Sequence, residues 1–157
     1  MKTTTLSTTW ARKLLEESEM SDHTGLVLSY LLDGEGGGRK LDWQKIRNWE
    51  ENAGIIWVHL DRSADETKDW LGTESGLDPV IVETLLGEAR RPRSLAIGNG
   101  VLVTLRGVNL NPGARPDDMV ALRLWIEPHR AITLRHRKIM AIEDLRDSLE
   151  AGQGPKN

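Results

Sequence analysis

RRPRSLAIGNGVLVTLRGVNLNPGARPDDMVALRLWIEPHRAITLRHRK, residues Arg90 to Lys138, reads as an antiparallel meander, and the rest of the chain is arranged around it. Ser94 to Ile97 and Val101 to Leu110 are apolar runs separated by Gly98, Asn99 and Gly100. Asn-Gly pairs supply the positive φ angles of a tight hairpin, so these runs are expected to pair. Val101, Val103 and Leu105 point one way and Leu102, Thr104, Arg106 and Val108 the other. Apolar side chains on both faces suit a central strand covered on both sides. Pro112, Gly113 and Pro116 break the pattern between Asn109 and Asp118, because proline lacks a backbone donor. Met119 to Ile126 then alternates, with Val120, Leu122, Leu124 and Ile126 on one face and Met119, Ala121, Arg123 and Trp125 on the other. It reads as another well-covered strand. Pro128 turns the chain into Ala131 to Arg135, the fourth strand of the meander.

Upstream, Leu26 to Leu32 and Ile55 to Leu60 are short apolar runs and read as buried strands. Between them Gly34 to Gly38 reads as a flexible surface turn. Asp42 is placed to cap a short helix bearing Trp43, Ile46 and Trp49. Ser63 and Glu66 have capping-box spacing, and Trp70 and Leu71 form the apolar end of that helix. Asp78-Pro79 caps and opens a further helix, with Val80 to Leu86 as its body and Gly87 as its stop. Ile139, Ile142, Leu145 and Leu149 recur at helical spacing and give the last helix one apolar stripe. Thr8 or Thr9 can cap a short helix carrying Trp10, Leu14 and Leu15, in a segment, residues 1–23, that otherwise reads as irregular. The fold class expected is α/β: a mixed β-sheet containing an antiparallel meander, with helices on both faces in an αβα sandwich.

The 157 residues make one domain, residues 1–157, and 38% hydrophobic with 29% charged is a globular composition. Phe is absent, so the six tryptophans are expected to dominate the large packing, with some available for a partner surface. A net charge of −3 gives no global pull toward nucleic acid. Zero cysteines exclude disulfides and thiolate chemistry and fit a reducing compartment. No run approaches the roughly 20 apolar residues of a membrane helix.

Seven stretches go further than these patterns: LLDGEGG (Leu31 to Gly37), WVHLD (Trp57 to Asp61), GEARRPR (Gly87 to Arg93), GVLVTLRGVN (Gly100 to Asn109), RPDDMVALRLWI (Arg115 to Ile126), LRHRKIMAIEDL (Leu134 to Leu145) and EAGQGP (Glu150 to Pro155). In this order they resemble the amino-terminal cytoplasmic domain of the ZntB branch of the CorA-type divalent-cation transporters, over nearly everything after about residue 24. The resemblance implies a funnel-shaped homopentamer at the cytoplasmic face of the inner membrane, with divalent cations, zinc among them, as cargo. It further implies a long helix leading to the protein's own membrane domain. The chain departs from the family by stopping at Asn157, before the membrane spans and the Gly-Met-Asn signature, so the resemblance implies an excised soluble domain. It also makes Glu88, Arg91, Pro92, Arg93, Arg106 and Arg123 structural or interface residues.

Candidate chemistry is sparse. His59 with Asp61 on one strand face, and Glu127 with His129 at a turn, are the candidate metal ligands, although neither pair has the spacing of a zinc site. Arg90 to Arg93 and Arg135 to Lys138 form two basic clusters suited to phosphate. Carboxylates nearby, Asp118 and Glu143 among them, point instead to ion pairs. Arg106 and Arg123 interrupt apolar strands and must reach solvent, a carboxylate or a subunit boundary. No nucleophile with its base is apparent in the order of residues, so an enzyme is not expected and no cofactor is implied. The function expected is the cytoplasmic domain of a divalent-cation transporter. The alternatives are a phosphate or nucleic-acid-binding module using the two basic clusters, and an α/β hydrolase.

Overall fold

The computed structural model describes residues 24–88, 91–115 and 117–156. The expected early helix at Trp10 and the first residue of the Arg90 cluster lie outside them. Seven strands form one sheet: β1 (Leu26–Leu32), β2 (Gly38–Lys40), β3 (Ile56–Asp61), β4 (Arg93–Ile97), β5 (Gly100–Val108), β6 (Met119–Ile126) and β7 (Arg130–Arg135), in the order β2-β1-β3-β7-β6-β5-β4. The meander forms as expected, with Leu95 opposite Leu102, Leu102 opposite Trp125 and Trp125 opposite Ile132. β3 and β7 run parallel at the centre, which makes the sheet mixed, and every other pairing is antiparallel.

One face carries three helical pieces: α1 (Trp43–Arg47), α2 (Asp65–Asp69) running into a π-turn (Trp70–Glu74), and α3 (Pro79–Leu86). Their Trp43, Ile46, Trp70, Leu71, Ile81, Val82 and Leu85 pack on Val58, Leu60, Leu102, Trp125, Ile132 and Leu134 in one cluster. Asp42 and Asp78 cap α1 and α3, accepting from Lys45 N at 2.9 Å and Val80 N at 2.8 Å. Both satisfy amide donors that a helix start leaves over. The capping box at Ser63 does not form: Ala64 precedes α2 without a side-chain cap, and Ser63 gives its hydroxyl and amide protons to Asp61 Oδ1 instead. Asp61 sits two residues back at the strand end, so the shorter turn captures the serine first.

The opposite face is covered by α4 (Met140–Glu150), whose Ile142 and Leu149 pack with Leu28, Tyr30 and Trp57. Leu145, expected in the stripe, is at the border of exposure, while Leu122 of β6 and Ala131 of β7 extend the cluster beyond β1 and β3. β5 and the end of β6 are not covered on both sides: Val101 is 38% exposed, Leu105 48% and Ile126 42%. The described tryptophans all serve the interior: Trp43, Trp57, Trp70 and Trp125 are buried, and Trp49 packs at the cluster edge. Trp125 needs Gly100 beneath it, since a Cβ there would lie 2.3 Å from the indole. The glycine-rich turn is pinned rather than loose. Asp33 accepts from Glu35 N at 2.8 Å and Gly37 N at 2.9 Å, and Gly154 N donates to Gly36 O at 2.6 Å. These amides hold the Asp33 carboxyl below its usual range.

Candidate functional site

The feature with most chemistry is a cleft of about 260 Å³ at the α3 end of the better-covered face, lined in part by Arg62, Glu88, Arg106, Arg123, His136 and Arg137. Strand register builds it. Arg93, Thr104 and Arg123 stand side by side across β4, β5 and β6, so their side chains share a face. Arg62 follows β3 and is anchored by Nη1, which donates to Leu86 O at 3.0 Å and Gly87 O at 3.1 Å, the carbonyls α3 leaves open at its end. Arg123 is the anomaly. It is 4% exposed, and its guanidinium has no hydrogen bond or ion pair among the described residues. Burial above all, then the charges of Arg62 and Arg93, pull its pKa below the ordinary arginine value, against the opposing charge of Glu88. The sequence required Arg123 to reach solvent, a carboxylate or a subunit boundary; within the chain it is nearly sealed from solvent and forms no ion pair among the described residues, whereas Arg106 is exposed and lines the cleft.

The basic clusters divide. Arg91 and Arg93 are exposed, and Arg91 and Pro92 lie outside the cleft. In the second cluster Arg137 pairs with Asp118 at 2.9 Å and Lys138 approaches Glu143 at 3.9 Å, the intramolecular ion pairs expected from the neighbouring carboxylates. Arg135 has a buried Nε without an acceptor. Arg62 escaped the sequence reading, because nothing near Asp61 in the chain reveals that the end of α3 will hold it.

The candidate metal ligands lie apart. His59 is fully buried, with Nδ1 2.7 Å from Thr133 Oγ1, an oxygen that also accepts from Trp57 Nε1 at 2.9 Å. Burial, and then the charge of Arg135, push its pKa down to about 3, so the ring is neutral. Asp61 is engaged by Ser63. Glu127 pairs with Arg130 at 2.6 Å, and Arg130 Nη1 donates to Ser75 O at 2.7 Å. His129 gives its carbonyl to Ile56 N at 3.0 Å, which puts that turn at the opposite end of β3 from Asp61. His59 is therefore about 10 Å along the strand from it. Among the described residues no group of three or more His, Asp or Glu is placed to hold a metal, and no helix is long and apolar enough to cross a membrane.

Comparison with known proteins gives a consistent picture. The chain is 44% identical over 147 residues to the divalent cation transporter CmaX of Pseudomonas aeruginosa, covering 90% of this chain and 43% of that protein. It is 38% identical over 133 residues to the zinc transport protein ZntB of Pectobacterium carotovorum, covering 85% of this chain and 40% of ZntB. The solved structure of full-length CmaX superposes with a TM-score of 0.79 at 45% identity, over 86% of this chain and 42% of that one. The ZntB cytoplasmic domain from Vibrio parahaemolyticus superposes at 0.70 over 85% of this chain and 52% of that one, and at 22% identity it speaks for the fold alone. The chain thus spans less than half the length of these full-length relatives. Residues 52–157 match the family described as CorA-like Mg2+ transporter protein, and the chain belongs to that family.

Proposed function

We propose that this chain is the cytoplasmic domain of a divalent-cation transporter with zinc as its cargo, and that five copies line the funnel leading to a membrane domain. The observation that carries the reading is the 44% identity over 147 residues to a divalent cation transporter, joined to a TM-score of 0.79 against the full-length structure of CmaX. Similarity to the ZntB proteins supports zinc as the cargo. In this reading the domain shapes a passage and biases the ions in it. Its 24 acidic against 21 basic residues, repeated around an axis, enrich cations by the summed field without a dedicated site, and salt screens that enrichment. His59, Asp61, Glu127 and His129 then serve packing and ion pairing, and the domain performs no catalysis. Glu88, Arg91, Pro92, Arg93 and Arg106 hold the structure or contact the next copy. Partners are further copies of the chain, divalent cations and the membrane domain, with no nucleic acid, at the cytoplasmic face of the membrane.

Two measurements test this. The product of the complete coding region, reconstituted in liposomes, is expected to pass zinc in preference to magnesium; absence of divalent flux refutes the transporter, and preference for magnesium refutes the cargo. Sedimentation of the 157-residue chain is expected to show concentration-dependent association, and a strict monomer at high concentration would remove the domain's own part in the ring.

A further inference from the structure

The Arg123 cleft poses a problem of charge that transport does not address. A guanidinium withdrawn from water loses its hydration unless an anion and hydrogen-bond acceptors replace it. Arg123 is 4% exposed, its buried Nε–H has no acceptor among the described residues, and the Glu88 carboxylate acts on it through charge without a hydrogen bond or ion pair. Its neighbours worsen the account, since Arg62 and Arg93 are close enough to act on it electrostatically and Arg106, His136 and Arg137 line the same cleft. The Nε–H of Arg62 is also buried without an acceptor. Of the two carboxylates in the lining, Asp118 is already paired to Arg137 at 2.9 Å, and Glu88 is the other. Two buried donors without acceptors, on two guanidinium groups in one cleft of about 260 Å³, describe a site built for an acceptor-rich anion.

We propose that this cleft binds a phosphoryl oxyanion, free phosphate or the phosphate of a small ester, held between Arg123 and Arg62. A tetrahedral oxyanion offers several acceptor oxygens and up to two negative charges, which matches planar guanidinium forks, whereas a monatomic anion offers one contact point. Arg62 is preset by its bonds to the end of α3. Occupancy ties β3, β6 and the end of α3 together, so binding at this site stiffens the sheet where the meander meets the helical layer.

The test uses the 157-residue chain in three matched-ionic-strength series: inorganic phosphate, glycerol phosphate and sodium chloride, followed by thermal unfolding and by amide chemical shifts. Phosphate at 10 mM is expected to raise Tm by about 3 °C over the chloride control and to shift the amides of Arg62, Thr104 and Arg123 saturably. Glycerol phosphate acting like phosphate identifies an ester-accepting site, and its failure beside a positive phosphate result identifies the free anion as the ligand. Arg123→Met is the decisive variant, since replacing an uncompensated buried charge by an apolar side chain raises Tm without ligand while the phosphate response is lost at least roughly ten-fold. Arg123→Lys, which keeps the charge but not the fork, weakens binding to an intermediate degree. The proposal fails if phosphate does no more than chloride, or if Arg123→Met responds to phosphate as the parent does.

Discussion

The two faces of the sheet are built from strands with the same sequence habit and end in different states. On the face under α1, α2 and α3, Val58, Leu60, Ile132 and Leu134 are sealed, and the apolar cluster extends to Leu102 and Trp125. On the other face α4 seals Leu28, Tyr30 and Trp57, while Val101, Leu105 and Ile126 stay partly open. Width explains the difference. A helix is about 10 Å across and strands lie about 4.8 Å apart, so the single α4 leaves the β5 side of its face open whereas three helical pieces cover the opposite face more widely. An apolar strand face therefore announces that a cover is wanted and says nothing of whether it is supplied.

The sharpest way to break this comparison is truncation on each face. Leu60→Ala, at a fully buried site, is expected to cost about 2–5 kcal/mol, and Leu105→Ala about 1 kcal/mol or less. Urea unfolding of both reads the difference, and equal costs would mean that Leu105 is covered in solution. Next in size is a pH effect from the sealed part of the second face. The unfolded chain takes a proton on His59 near pH 6.5, while the folded chain resists until about 3. The unfolded state then binds more protons, so stability is fully present above 6.5 and is lost as pH falls toward 3, at up to about 1.4 kcal/mol per unit. His59→Asn is expected to flatten that slope; an unchanged slope between pH 6.5 and 4 would show that His59 is not sealed.

Gly100→Ala tests the other face, where the new Cβ meets the Trp125 ring. A loss of about 1–3 kcal/mol, seen as a lower urea midpoint, is expected from overpacking. Smallest is Leu105→Lys on the open face, within about 0.5 kcal/mol of the parent and with weaker self-association in sedimentation. A large destabilisation there would again mean a covered face.

Much of this was readable in the chain. Period-two alternation marked β5 and β6, and Asp42 and Asp78 carried their caps; the hairpin was also legible, although its turn is Gly98-Asn99 with the positive φ at Gly98, and Gly100 already belongs to β5. Ser63 misled because two local acceptors competed and distance chose between them. The glycine-rich turn looked loose because its restraint comes from Gly154, far along the chain. Of the arginine cleft, Arg106 and Arg123 stood out as polar intrusions in apolar strands and His136 and Arg137 as part of a basic cluster, whereas Arg62 gave no local signal.

What the sequence determined alone is therefore the identity of the elements and the family, both carried by residue order and short-range chemistry. Tertiary structure decided the parallel pairing of β3 with β7 across almost seventy residues of intervening chain, which no local pattern encodes. It also decided which face α4 covers and that Arg62 and Arg123 share one cleft. Those outcomes depend on strand order and on the finite width of a helix, and both exist only once distant segments are packed together.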